Sequence, residues 1–308
     1  MQRNNRQSTA TRSRTRICDT FWGALAIILL STLPYFHDII TDSEGLRPWV
    51  PDLGVERLLT GSDGKILGFS TYRVFLYTTL IFVFSAIGWY GWYRSATKKM
   101  YQKVLFVVVA SSICHVLLIL LDLRRTFLNE PSLKVVLLLA VFLLSMTVGK
   151  LNGKIGLRNI LTILLLLAIA MLPFLHDLIT DRAGTVRRWV PNLGIESMLT
   201  DGSGHVRGLR SYRLFLYLFG IYLFAHLGWI GWFFDATGRK YRTFLLVPAI
   251  LSLYQVVTIL MSWRETEFND PSIHLAITLA LALLLAINFY YNNKVSPKTE
   301  VLTENENY

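Results

Sequence analysis

One stretch of this sequence occurs twice, and each copy is set among long apolar runs; no other feature limits the possible folds as much. The first copy opens at Leu33-Pro34, passes through His37-Asp38 and Thr41-Asp42, and reaches Trp49-Val50-Pro51-Asp52-Leu53-Gly54. It continues through Glu56, Leu59-Thr60, Tyr72-Arg73 and Phe75-Leu76-Tyr77. The second copy runs Leu172-Pro173, His176-Asp177, Thr180-Asp181, Trp189-Val190-Pro191-Asn192-Leu193-Gly194, Glu196, Leu199-Thr200, Tyr212-Arg213 and Phe215-Leu216-Tyr217. The offset is 139 residues up to Gly45/Gly184 and 140 beyond it, so one residue was inserted between Gly184 and Trp189. The likeness extends to Gly88-Trp89 and Gly91-Trp92 against Gly228-Trp229 and Gly231-Trp232, and to Asn129, Pro131-Ser132 against Asn269, Pro271-Ser272. A period this long points to two fused units, not a solenoid.

The apolar runs set the environment. Hydrophobic residues make up 53% of the chain, well above the share in a soluble domain. Eight runs approach membrane-spanning length: Phe21–Ile40, Val74–Tyr93, Val104–Leu121, Leu133–Val148, Ile160–Ile179, Leu214–Phe234, Phe244–Met261 and Ile273–Tyr290. Hydrocarbon offers the backbone no hydrogen-bond partners, so runs of this kind must be helical. The expected fold is therefore an all-α polytopic membrane protein. It has eight transmembrane helices as two tandem four-helix repeats, with short helices on the outer surface. Residues 18–149 form the first repeat, 150–157 a cytoplasmic linker and 158–291 the second repeat. The polar segments 1–17 (basic) and 292–308 are expected to be disordered cytoplasmic tails. An even number of spans per repeat gives both the same orientation, with a symmetry axis along the membrane normal.

Charge orients the chain. With the N-terminus inside, the inner segments hold 17 Lys/Arg and 5 Asp/Glu, against 14 and 15 outside. The inner loops are also short, which is the positive-inside pattern. It places both termini in the cytoplasm and the protein in the cell membrane. The formal charge of +11 is then a consequence of topology, with no nucleic-acid partner implied. The first run lacks a small-residue cleavage site before Pro34 and reads as an uncleaved span. Cys18 and Cys114 fall too far apart along their spans for a disulfide.

The outer segments hold the chemistry. Proline at 34 is expected to kink or end the first span, leaving His37, Asp38, Thr41 and Asp42 at the outer interface. If this end is helical, Asp38 and Asp42 share a face, as do Asp177 and Asp181. Asp52 and Asn192 precede apolar-rich segments and are expected to cap short surface helices. Trp49 and Trp189 suit an interface. Arg73 and Arg213 open the next span beside the carboxylates, where an unpaired charge would be costly. At the inner end, the Gly-Trp pairs combine close-packing glycines with an aromatic belt.

The candidate ligand or ion site is thus His37, Asp38, Asp42, Glu56, Tyr72, Arg73 and Arg124, with His176, Asp177, Asp181, Glu196, Tyr212, Arg213 and Arg264 as counterparts. A salt-bridged cap over helix ends competes with ligand recognition there. His115 and His226 lie within spans, but Gln255 and Ala86 replace them in the other copy. No Ser-His-Asp set, H-E-x-x-H, P-loop or C-x-x-C occurs, so no catalytic residue, metal or cofactor is assigned and an enzyme is disfavoured. The leading expectation is a transport or channel-type protein, or a ligand-recognising membrane protein. The alternatives are a non-catalytic subunit binding a membrane or extracytoplasmic protein through its outer loops, and a membrane enzyme acting on a lipid-linked substrate. The lipid bilayer is the one partner expected in every case.

Overall fold

The structure, a computed structural model, describes residues 20–42, 45–123, 157–181, 183–191, 193–202, 204–263 and 266–295, with isolated positions from Thr126 to Leu143. Both tails, the inner linker and most of the run Leu133–Val148 lie outside the described residues; the described members of that run are helical. The described chain is all-helical, with no strand beyond isolated backbone bridges. Among the described residues, six helices are long and apolar enough to cross a membrane: Thr20–Ile40, Tyr72–Ser95, Tyr101–Leu120, Tyr212–Asp235, Arg242–Leu260 and Pro271–Tyr291. The fifth apolar run forms a helix over Leu157–Ala170, followed by the turn Leu172–Phe174 and a short helix Leu175–Ile179, the same pattern that breaks Thr20–Ile40.

The elements are α1 (20–31), a 3-10 turn Leu33–Tyr35, α2 (Phe36–Ile40), α3 (Val55–Leu59), α4 (Tyr72–Ser95) and α5 (Lys99–Leu120). The second half follows with α6 (Leu157–Ala170), a 3-10 turn Leu172–Phe174, α7 (Leu175–Ile179), α8 (Ile195–Leu199), α9 (Tyr212–Asp235), α10 (Leu246–Leu260) and α11 (Pro271–Val295). The breaks at 33–35 and 172–174 have a covalent cause. Pro34 and Pro173 have no amide hydrogen to donate back along the helix, and each stands at the start of its tighter turn. α4 and α9 begin at hydroxyl caps, where Thr71 Oγ1 accepts from Val74 N–H at 3.3 Å and Ser211 Oγ from Leu214 N–H at 3.2 Å.

α3 and α8 occur where the sequence calls for short surface helices, but Asp52 is not the cap residue. That position belongs to Gly54, at φ +69°, and Gly194 matches it at φ +68°. A left-handed backbone here suits glycine. Asp52 instead closes the preceding turn, accepting from Gly54 N–H at 2.8 Å, and pairs with Arg57 at 3.3 Å. Asn192 is outside the described residues. Leu58 and Met198 are 83% and 80% exposed at equivalent places, so each short helix turns apolar side chains away from the protein.

The centre of the molecule is the contact of α4 with α9. Gly88 faces the indole of Trp229, and Gly228 that of Trp89; a Cβ added at either would lie 3.0–3.1 Å from ring atoms. At Gly91 and Gly231 the ring faces are closer still, and an added Cβ would overlap Trp232 and Trp92. Two of the four tryptophans are thereby taken out of any interfacial belt at this end. Trp89 and Trp229 are 0% exposed and fill the space that the opposing glycines leave. Phe84 packs at a tilt on Trp229 and Phe224 stacks on Trp89, extending the seal along the axis. The polar edges of the indoles are unlike. Trp89 Nε1 donates to Phe224 O at 3.1 Å and Trp92 Nε1 to Asp235 at 2.6 Å, whereas Ser95 stands where Asp235 would serve Trp232.

Among the described residues, a second close approach is found in the later half of the bundle and not in the first. Gly220 in α9 sits against the carbonyl of Leu172, and a Cβ there would overlap that oxygen. Leu80 is its equivalent in α4. We expect Gly220→Ala to lower the melting temperature in detergent by several degrees, since overpacking against backbone costs about 1–3 kcal/mol. An unchanged melting temperature would show that the 172–174 turn moves freely away from α9.

Candidate functional site

Two sets of charged side chains lie at the end of the bundle where α4 and α9 begin. In the first, Arg73 Nη2 donates to Asp38 Oδ1, and His37 Nε2 lies 3.2 Å from the same oxygen. His37 Nδ1 is 3.0 Å from the carbonyl of Pro34, so each ring nitrogen faces an acceptor. The proline break supplies that carbonyl by removing it from the helical ladder. The ring of Tyr77 packs edge-on to His37 at 4.8 Å. The second set repeats the ion pair and the ring contact: Arg213 Nη2 donates to Asp177 Oδ1, His176 Nε2 lies 3.4 Å away, and Tyr217 is edge-on to His176 at 4.9 Å.

The structure draws these sets tighter than the sequence reading did. Asp42 and Asp181 share a helical spacing with Asp38 and Asp177, but α2 and α7 end before them. Their carboxylates hold turns instead. Asp42 accepts from Gly45 N–H at 3.2 Å, and Asp181 from Thr185 N–H at 2.9 Å and Thr185 Oγ1–H at 2.6 Å. Those bonds, led by the hydroxyl of Thr185, hold the Asp181 carboxyl below the usual carboxylate range. Asp181 still serves Arg213, through its backbone carbonyl.

Tyr72 and Tyr212 stack on Phe75 and Phe215, one turn along their own helices. Glu56 lines a shallow groove under the first outer segment with Arg47, Asp52 and Arg57, and Glu196 takes the same place on α8 that Glu56 has on α3. Arg124 and Arg264 lie outside the described residues.

Other residues enter that the sequence reading passed over. Arg47 donates to Asp38 O at 3.0 Å, and Arg187 to Thr180 O at 3.0 Å, so each caps the carbonyl end of the short helix that carries the aspartate. Their signal was an arginine two residues before each Trp-Val-Pro. More consequential is a cavity of about 510 Å³ between the halves. His37, Asp38, Arg73 and Tyr77 form one wall, and Tyr222, Gln255, Thr258, Asn269 and His274 form another.

That second wall is a buried polar cluster. His274, 2% exposed, donates from Nδ1 to Asp270 O at 2.9 Å, and its Nε2 meets the amide of Gln255 at 2.5 Å. The ring of Tyr35 lies flat on His274 at 4.1 Å, with its hydroxyl 3.3 Å from Leu251 O. The first half thus contributes Tyr35 to a cluster otherwise built on α9, α10, α11 and the turn before α11. Sequence spacing gave no hint of it, because Tyr35 and His274 meet only through the fold.

The histidines within spans have local roles. His226 bonds Ala249 O at 2.9 Å, and His115 lies between the rings of Phe82 and Phe174. Among the described residues no group of three His, Cys, Asp or Glu side chains could hold a metal. Comparison with protein-family models, with curated proteins and with solved structures gave no match.

Proposed function

We propose that this is an eight-span cell-membrane protein of two tandem four-helix units, with both termini cytoplasmic, that recognises a small polar ligand in an outward-facing cavity. The observation carrying this reading is the cavity itself. Its walls are unlike groups from both halves, and Gln255 and His274 present buried polar edges to it. A pocket of this size with a few convergent polar groups on an apolar frame suits a small ligand. A purely structural cap would need the Asp38–Arg73 pair but not a polar wall opposite it.

Recognition fits better than an open channel. Towards the other end of α4 and α9 the path is closed by Phe84, Trp89, Phe224 and Trp229, all buried. Conduction would require that glycine–tryptophan contact to part.

Native mass spectrometry of protein extracted directly from membranes tests the reading. The wild type should retain a bound species that Gln255→Leu/His274→Leu loses while remaining folded. Its mass would separate a lipid from a small solute. Identical spectra for the two proteins would sink the proposal.

Orientation is tested separately, in a background lacking Cys18 and Cys114. Single cysteines at Ser62 and Ser203 should react with an impermeant thiol reagent on intact cells, and one at Ser95 should not. Labelling at Ser95 with Ser62 silent would reverse the topology and discard the charge argument.

A further inference from the structure

The two charged sets are matched residue for residue, yet their surroundings are not. The cavity takes in His37, Asp38, Arg73 and Tyr77, and none of His176, Asp177, Arg213 or Tyr217. The sequence offset identifies what replaces the polar wall on the other side. Where the cavity has Tyr35, Tyr222 and Gln255, the equivalent positions are Phe174, Phe82 and His115. These three rings pack on one another, His115 lying 4.0 Å from Phe82 and 5.3 Å from Phe174. Thr258 is matched by Leu118, His274 by Lys134 and Asn269 by Asn129; Lys134 and Asn129 lie outside the described residues. Two tyrosine hydroxyls, a glutamine amide and a threonine hydroxyl have thus given way to hydrocarbon, or to a ring in contact with hydrocarbon.

The charges at the working cavity are also unbalanced. Its lining holds Arg73 and Arg210 against the single carboxylate of Asp38. Asp38 is already engaged by Arg73 and His37. Arg210 is exposed and has no acidic partner within 4.0 Å among the described residues. Its equivalent in the first half is Ser70, so this charge too belongs to one half alone.

Resting on the cavity reading above, we infer that the molecule carries one working site and one converted into packing, and that the working site takes a ligand bearing a single anionic group. Carboxylate and phosphate, free or on a lipid headgroup, share this chemistry. The arginines hold the anionic group at the rim, and a neutral polar portion lies against Gln255 and Thr258. Tyr35 and His274, stacked on each other, fix the depth of the pocket.

Tyr77 and Tyr217 make a matched pair of reporters, since each is edge-on to the histidine of its own set. In the cysteine-free background, Tyr77→Cys and Tyr217→Cys are exposed on intact cells to anionic and cationic methanethiosulfonates at low ionic strength. Each rate is normalised to that of the same reagent with a free thiol. Tyr77→Cys should react and Tyr217→Cys should not. The anionic reagent should be favoured at Tyr77→Cys by at least about threefold, a preference that Arg210→Gln reduces, because fixed charge at a cleft raises the local concentration of its counterion.

Val74→Cys, on the cavity lining and half-exposed, gives the same charge readout should Tyr77→Cys not fold. Equal labelling of the two tyrosine positions would overturn the one-site inference while leaving an outward cavity in place. A cationic preference, or none, would overturn the anionic ligand class. Silence at both Tyr77→Cys and Val74→Cys in folded protein would overturn the cavity reading itself, and this inference with it. A bound mass matching a phospholipid in the extraction experiment assigns the anion to a headgroup, and a small mass assigns it to a free solute.

Discussion

Gly91→Ala and Gly231→Ala should each lower the yield and melting temperature of folded protein more than Gly88→Ala or Gly228→Ala. The reason is distance to a rigid partner. A methyl at Gly88 or Gly228 would lie 3.0–3.1 Å from an indole, which needs to shift by only a few tenths of an ångström. A methyl at Gly91 or Gly231 would overlap the six-membered ring of the facing indole, which no rotation about a terminal bond relieves. Overpacking of this kind costs about 1–3 kcal/mol at one site. The effect should depend on the partner, so Gly91→Ala combined with Trp232→Phe should lose less than the sum of the two single changes. The coupling expected for residues in contact is about 0.5–3 kcal/mol. Additive shifts in melting temperature would mean that α4 and α9 do not pack through this contact. Leucine at Gly88 or Gly228 is a harsher version of the same test, and should deplete folded protein outright.

Arg213→Ala should destabilise the protein by about 1–2 kcal/mol, between the values for exposed pairs and for fully buried ones. Its side chain is 28% exposed, against 43% for Arg73 in the matching pair, so Arg73→Ala should cost less. Removing the arginine strands the Asp177 carboxylate near an apolar phase, and Asp177→Asn on top of Arg213→Ala should recover part of the loss. Asp181→Asn should not, because Arg213 meets Asp181 at the backbone carbonyl while the carboxylate is bound to Thr185. Thermal melts of the four single and combined proteins decide this. Recovery by Asp181→Asn equal to that by Asp177→Asn would refute the pairing described above.

The first half's pair carries a second readout. Asp38→Asn should change ligand binding at the cavity, by freeing Arg73 for the anionic group, as well as lowering stability, whereas Asp177→Asn should alter stability alone. Chemically identical residues at equivalent positions would then have different functional weights. That contrast separates a structural pair from a site far better than either mutation does by itself.

Several of these features were open to view in the sequence. Apolar runs force helices in a medium that cannot bond the backbone, and Pro34 and Pro173 mark the breaks that follow from a missing amide hydrogen. The pairing of Asp38 with Arg73 was legible because both stand at the ends of consecutive helices, near an interface that penalises an unpaired charge. Glycine beside tryptophan, twice, announced a close helix contact. Which glycine met which tryptophan was not legible, since that depends on how α4 and α9 are rotated about their axes.

Only the tertiary structure decided the rest. Asp42 and Asp181 carry the right charge at a helical spacing, but the two short helices end two residues before them, and local turn bonds claim their carboxylates. The wall of Tyr35, Tyr222, Gln255 and His274 draws on four elements far apart in the chain, and a periodicity argument cannot see across such separations. The same limit hides the asymmetry between the halves. A repeat in sequence specifies equivalent backbones, while a site is made by side chains from several of them, so a few changes from tyrosine to phenylalanine can leave the fold intact and remove one site.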